Sequence, residues 1–157
     1  MIRFLVLTLS ILALSEAAAG SRQRAVVTLP EDPAARQVRE KWGYADALLS
    51  GDTAYFSGLI AMLKEGERTP EAAYERMFGL FDERLRKVGC TWDDVVDITS
   101  YHTDLSAQMP FFLEVKRKYV RQPFPAWTAV GVSRLIADTG VTEMKLVARF
   151  CDGAAEK

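Results

Sequence analysis

The stretch PAWTAVGV, residues 125–132, predicts a strand that starts directly after a proline-rich break. Proline lacks a backbone N–H and has a fixed φ, so the prolines at 123 and 125 end any helix that precedes them. From residue 126 to 133, β-branched residues alternate with aromatic or small residues, which is the pattern of a strand whose two faces meet different surroundings. By this period of two, we expect Thr128, Val130 and Val132 to face a helical layer. Trp127, Ala129 and Gly131 are expected on the opposite face.

Two helices are predicted before this strand. Thr69-Pro70-Glu71 starts the first, because threonine caps, proline suits the first turn and an acid favours the positive end of the helix dipole. This helix is predicted to run to residue 88 and to stop at Gly89, and the second covers residues 110–120. Strands are predicted over 44–50 and 53–57, joined by a turn at Gly51-Asp52, and over 95–103 and 142–150. The order is ββαβαββ, which predicts an α+β domain.

The last strand has one apolar and one charged face. Its apolar side chains, Met144, Leu146, Ala148 and Phe150, are expected to pack under the helices. Glu143, Lys145 and Arg149 then share the other face of the sheet. With Trp127 also placed on that face, the two strands are expected to bring Glu143 and Trp127 to one region.

Length and charge limit the function classes. The chain has 157 residues, 49% hydrophobic and 26% charged, which is the size and balance of one globular domain. Its formal net charge is −1. Binding to phosphate backbones requires a concentrated excess of lysine and arginine, so a nucleic-acid partner is not expected.

The amino terminus has the pattern of a secretory signal peptide. Arg3 precedes an apolar stretch at residues 4–14, and Ala17-Ala18-Ala19 offers a cleavage site before Gly20. An uncleaved membrane anchor is the alternative, but this stretch is shorter than the ~20 residues that cross a bilayer. The predicted organisation is a signal peptide at 1–19, an extension at 20–42, the folded domain at 43–150 and a tail at 151–157. The mature protein is expected in the periplasm or outside the cell, and not in a membrane.

The cysteines and the single histidine do not predict a cofactor. Cys90 and Cys151 either pair in a disulfide, as an oxidising compartment permits, or stay separate thiols. Their spacing matches no zinc pattern, so no metal site is expected. His102 lies on a predicted central strand, where a structural role is favoured over that of a general base. We expect neither a metal nor an organic cofactor.

Several short motifs, in order and spacing, resemble the Rid (YjgF/YER057c/RidA) family. They are Gly43-Tyr44, Ser57-Gly58-Leu59-Ile60, Cys90-Thr91-Trp92-Asp93-Asp94-Val95-Val96, Thr103-Asp104, residues 115–119, the PAWTAVGV strand and Glu143. The resemblance covers residues 43–150. It implies a chorismate-mutase-like fold, a mixed sheet with two helices on one face, and a homotrimer with clefts between subunits. It also implies hydrolysis of enamines and imines of 2-keto acids.

The resemblance also implies the site residues. Glu143 matches the glutamate that positions water, and its alternative is a salt bridge with Lys145 or an arginine. Tyr44, Ser57 and Gly58 match residues that approach the substrate, although Tyr44 could simply end a buried aromatic cluster. Trp127 stands where the family has the arginine that grips the substrate carboxylate. It is interpreted either as an aromatic ligand wall or as a core or interface residue.

Lys116 is a further substrate-binding candidate, since it could restore a positive charge near the cleft; its alternative is an exposed side chain. Indole offers one N–H and no charge, so Trp127 disfavours the usual 2-imino acids. Two functions remain. One is hydrolysis of an imine, enamine or related C–N compound, and the other is non-catalytic binding of a small molecule by the trimer. Ribonuclease activity, reported for some relatives, fits poorly with one histidine and a negative net charge.

Overall fold

The computed structural model describes residues 26–149. The predicted signal peptide, the start of the extension, Phe150, Cys151 and the rest of the tail lie outside these residues, and so does the question of a Cys90–Cys151 disulfide. The elements in chain order are β1 (Val26–Thr28), α1 (Pro33–Trp42), β2 (Ala47–Ser50), β3 (Thr53–Met62), α2 (Glu71–Lys87), β4 (Val95–His102), α3 (Leu105–Tyr119), β5 (Ala126–Gly131) and β6 (Gly140–Arg149).

The strands form one mixed sheet in the order β1-β2-β3-β6-β4-β5. All neighbours are antiparallel except β4 and β5, which are parallel and are connected through α3. From β2 onward the order is ββαβαββ, so the predicted α+β fold is confirmed. The structure adds a strand and a helix, β1 and α1, before the predicted hairpin.

The core lies between one face of the sheet and the helices α2 and α3. Its largest side chains are aromatic, and Tyr74, Phe78, Phe81 and Phe112 are fully buried. Met144, Leu146 and Ala148 of β6 are buried beneath them, which confirms the predicted apolar face of that strand. The opposite face of the sheet, called the open face here, carries Glu143.

The predicted orientation of β5 is wrong. Trp127 lies on the helix face, where its ring stacks on Phe112 with centroids 5.6 Å apart and planes at 23°. Its neighbour in β4 is Ile98, which is fully buried on the same face. The reason lies in the packing of the aromatic side chain: on the helix face its ring stacks on α3, and its indole N–H donates to Ser100 Oγ at 3.0 Å. The β-branched Thr128 and Val130 are exposed instead.

Local capping explains two further differences from the sequence prediction. Asp104 caps α3 by accepting a hydrogen bond from the Ala107 N–H at 3.0 Å, so the helix begins at Leu105 and Pro110 lies inside it. In the extension, Asp32 caps α1 by accepting from the Ala35 N–H at 2.7 Å. The helix ends at Gly43, whose φ of 69° is the left-handed conformation that glycine adopts most readily. The part of the extension from residue 26 onward is therefore a strand and a helix.

Candidate functional site

A cavity of about 530 Å³ opens on the open face, beside the carboxyl end of α1. Small-molecule sites occupy roughly 300–1,000 Å³. Four residues that the sequence singled out line it together: Tyr44, Ser57, Gly58 and Glu143. The structure adds five lining residues that sequence reasoning missed, namely Val38, Trp42, Ile60, Ile136 and Ala137.

An irregularity in β3 shapes the floor of the cavity. The pairing of β3 with β6 shifts register between Phe56 and Leu59, and Ser57 and Gly58 lie within the shift. Such bulges re-aim side chains and are common next to active sites. A Cβ on Gly58 would come within 2.9 Å of the Glu143 Cδ and closer still to Oε1. The carboxylate of Glu143 therefore occupies space that only a glycine at position 58 leaves open.

Glu143 is held by the sheet but not by a partner side chain. Its Cα pairs with Ile60 of β3 on one side and Tyr101 of β4 on the other, so the backbone position is fixed from both sides. Within residues 26–149 its carboxylate makes neither a salt bridge nor a side-chain hydrogen bond, and the predicted alternative of a pair with Lys145 is not formed. The carboxylate is thus available to a water molecule or a ligand.

Tyr44 is positioned by a cluster of charges behind it. The Arg39 guanidinium lies 5.3 Å from the centre of its ring, within the range of a cation–π contact. Arg39 and Arg84 both donate to Asp46 Oδ1, at 3.1 and 2.7 Å. These two bonds connect α1 to α2 and to the start of β2. Tyr44 is therefore a fixed wall of the cavity and is 38% exposed.

The positively charged side chain of Arg84 is nearly buried. Burial lowers its pKa, while the neighbouring Asp46 acts in the opposite direction. Its Nη1 is buried and has no hydrogen-bond partner among the described residues. Neither Arg84 nor Arg39 lines the cavity, so this cluster supports the cavity wall from behind without supplying a group to bind a carboxylate inside it.

Lys116 and Trp127 are not brought to this cavity. The Lys116 ammonium lies 4.1 Å from the centre of the Trp127 ring, and burial lowers its pKa. The Trp127 indole N–H donates to Ser100 Oγ at 3.0 Å. Both side chains belong to the helix-covered side of the sheet, as the core interpretation of Trp127 requires. Their roles in substrate binding stay predictions.

His102 belongs to a hydrogen-bonded chain inside the core. Its Nε2 lies 3.0 Å from Ser100 Oγ and its Nδ1 lies 3.0 Å from Thr142 Oγ1. Because Thr142 donates to Gln108, Nδ1–H donates to Thr142, and the Nε2 of a neutral ring then accepts from the Ser100 hydroxyl. That pattern fits a neutral imidazole, and burial lowers the His102 pKa. The structural role predicted for His102 agrees with this environment.

A smaller cavity of about 280 Å³ lies next to the first and shares Ala137 with it. Arg134 and Asp138 line it with opposite charges. Within residues 26–149 no cluster of three or more histidine, cysteine, aspartate or glutamate side chains could hold a metal ion. None of the helices in this part of the chain has the length and hydropathy of a membrane span.

Comparison with known sequences gives one consistent relationship. A family model described as Endoribonuclease L-PSP matches residues 35–150. RutC family protein YjgH of Escherichia coli strain K12 is 38% identical over 112 residues, which cover 68% of this chain and 82% of that protein.

Solved structures agree. Protein YJGH superposes with a TM-score of 0.70 at 29% identity, over 83% of this chain and 100% of that one. RidA from the Antarctic bacterium Psychrobacter sp. PAMC 21119 gives a TM-score of 0.61 at 29% identity, over 68% of this chain and 88% of that one. Rv2704 from Mycobacterium tuberculosis, a member of the YjgF/YER057c/UK114 family, gives a TM-score of 0.68 at 21% identity, over 80% of this chain and 99% of that one. At this identity the similarity concerns the fold alone.

Proposed function

Because this chain belongs to the Rid/YjgF family, we propose that it hydrolyses an imine, enamine or related C–N compound in the cavity beside α1. The observation that carries the proposal is the meeting of four residues at one place. Tyr44, Ser57, Gly58 and Glu143 are scattered over about a hundred positions of sequence and line the same cavity.

The reaction assigned to the site is addition of water across a C=N bond. Water attacks the carbon of the protonated imine, and Glu143 accepts a proton from that water, which gives a carbinolamine. Glu143 then passes that proton to the nitrogen, and as the C–N bond breaks with its electron pair leaving on nitrogen, the freed carboxylate takes the proton of the carbinolamine hydroxyl, which yields a carbonyl compound and ammonia or an amine. A positioned base of this kind contributes typically 10²–10⁴-fold to rate.

Non-catalytic binding of a small molecule is the alternative, since one fold hosts many sites and can lose a reaction while keeping its pocket. Both functions use the same cavity and differ only in whether Glu143 performs chemistry. Ribonuclease chemistry has less support. The chain's one histidine, His102, is buried with both ring nitrogens engaged, and none of the cavity-lining residues is a lysine or arginine.

The experiment is to measure release of ammonia or amine from a panel of imines generated in solution. The panel includes 2-iminopropanoate, produced by an amino-acid oxidase, and imines without a carboxylate. Glu143→Gln is expected to lower turnover at least a hundredfold, with ligand affinity kept. Glu83→Gln removes an exposed carboxylate from α2 and serves as the matched control. Equal turnover by wild type and Glu143→Gln would leave only the binding function.

We also propose that the chain assembles as a homotrimer. Leu48 and Tyr55, paired across β2 and β3, and Val130 of β5 leave apolar surface on the open face. Helices cover only one side of the sheet, so association through the other side would bury these apolar side chains. Light scattering coupled to gel filtration measures the mass directly. A monomer at micromolar concentration would contradict the proposal.

Export is proposed on the amino-terminal pattern alone. The apolar stretch at residues 4–14 and the alanines before Gly20 predict cleavage and delivery to the periplasm or the medium. Cell fractionation with mass spectrometry of the amino terminus tests this. Full-length protein in the cytoplasm would contradict it.

A further inference from the structure

The position of the Glu143 carboxylate depends on how firmly the backbone of β6 is held. Among the residues that the structure describes, no side chain pairs with this carboxylate. On the β3 side, the pairing with β6 shifts register between Phe56 and Leu59 and again after Ala61. A shift of this kind disrupts the ladder locally. The contacts that β6 makes with its other neighbours must therefore fix this part of the strand.

Thr142, one residue before Glu143, lies at the centre of a buried hydrogen-bonded cluster. Its Oγ1 lies 2.8 Å from the Tyr74 hydroxyl of α2, 3.0 Å from His102 Nδ1 of β4 and 3.3 Å from Gln108 Oε1 of α3. A hydroxyl has one donor and two acceptor sites, so donating to Gln108 and accepting from Tyr74 and His102 uses all three. One side-chain atom thus connects β6 to both helices and to β4.

The residue before Thr142 is held as well. Thr103 donates twice to the Val141 carbonyl, from its N–H at 3.0 Å and from its Oγ1 at 3.1 Å. Gln108 Nε2 donates to the same Thr103 Oγ1 at 2.9 Å, which connects this pair to the Thr142 cluster. Since β6 begins at Gly140, both contacts act near the end of a strand, where local opening is easiest.

We propose that Thr142 is a positioning residue for Glu143, because its hydroxyl fixes β6 on the face directly opposite the carboxylate. The inference rests on the proposed function, in which Glu143 is the reacting base. Without the hydroxyl, Tyr74 and the His102 N–H lose their shared acceptor in the core, and a buried polar group without a partner is costly. The cluster then rearranges and the strand moves with it, and a displacement of about 1 Å can lower a rate about a hundredfold.

The Thr142 cluster lies between the sheet and the helices. Tyr74, His102 and Thr142 are fully buried within one subunit. A neighbouring subunit packed on the open face would leave these contacts unchanged.

Two substitutions separate the hydroxyl of Thr142 from the shape of its side chain. Thr142→Val removes the hydroxyl and keeps the shape, whereas Thr142→Ser keeps the hydroxyl and removes a methyl group. On the imine that wild type hydrolyses fastest, Thr142→Val should lose at least about tenfold in kcat with KM within about twofold, and Thr142→Ser should stay within about threefold of wild type in both. Ile98→Val removes one methylene from the buried part of β4 outside the cluster and should keep the wild-type kcat, which controls for a loss of stability alone.

Tyr74→Phe is a milder variant of the same cluster. It removes one partner of the Thr142 hydroxyl and should lower kcat about two- to fivefold. It replaces Thr142→Val in the comparison if that protein does not fold.

Amide hydrogen exchange followed by NMR gives a readout that needs no turnover. In Thr142→Val, protected amides among residues 141–144 should exchange at least about tenfold faster relative to the other protected amides of the sheet, whereas Ile98→Val should not single out this segment. Wild-type kcat in Thr142→Val, or exchange at residues 141–144 unchanged from wild type, would overturn the inference. If wild type hydrolyses no imine, the proposed function fails, and exchange at these residues alone decides whether Thr142 fixes the strand.

Discussion

Replacing Gly58 by alanine tests how closely the catalytic proposal depends on the position of Glu143. The new Cβ would lie 2.9 Å from the Glu143 Cδ, whereas ordinary contacts are 3.4–4 Å. The Glu143 Oε1 would be closer still, so the carboxyl group must move by more than about 1 Å, and a misplacement of that size can reduce a rate about a hundredfold. No other atoms are among the three nearest to this Cβ, so the rest of the fold has little reason to change.

The assay compares kcat on the best imine of the panel with the midpoint of thermal unfolding. Gly58→Ala is expected to lose about a hundredfold in kcat, with a small change in midpoint. Gly79→Ala is the matched control, because a Cβ there meets nothing within 4 Å. In mid-helix that change should add about 0.5–1 kcal/mol of stability and leave turnover unchanged. A Gly58→Ala protein with wild-type kcat would refute the placement of Glu143 as the reacting base.

Three further predictions concern charge in and around the core. Burial lowers the pKa of His102 in the folded state from its usual value of about 6.5, so folding favours the neutral ring. The midpoint of thermal unfolding should therefore fall as the pH drops below 6.5, and His102→Gln should make it depend less on pH. Asp46→Asn removes the negative charge that Arg39 and Arg84 share and should cost up to about 3–5 kcal/mol by denaturant titration, with a smaller cost in an Arg84→Met background. Trp127→Arg loses the stacking on α3 and places a guanidinium beside Lys116, so chemical unfolding should show a loss of about 1–3 kcal/mol, whereas Trp127→Phe should lose less.

Glu143 and Trp127 show where the period of two predicts the face of a strand correctly and where it does not. In β6 the alternation is decided by large apolar residues against charged ones, and Met144 and Glu143 lie on the predicted faces. In β5 the β-branched Thr128 and Val130 face outward, because the ring of Trp127 stacks on Phe112 of α3 and so takes the helix face. An edge strand can expose such residues, so hydrophobicity alone gave the wrong face for Trp127.

The α1 side of the cavity escaped sequence reasoning for a related reason. None of the ten residues of α1 is buried, so the helix lacks the apolar stripe that indicates a packed core element. Asp32-Pro33 at its start and Gly43 at its end were available signals. The spacing of Val38 and Trp42 would then have placed both on one face of a helix, next to Tyr44.

Small molecules are proposed to bind on the open face, and a map of amide chemical shifts shows where they bind. The titrant is the carbonyl product of whichever imine wild type hydrolyses fastest, added to isotope-labelled protein. We expect the largest changes at Tyr44, Gly58 and Glu143, around the cavity beside α1. Changes confined to Lys116 and Trp127, on the helix-covered face, with the cavity unaffected, would show that the ligand binds elsewhere and that the cavity beside α1 is not the site.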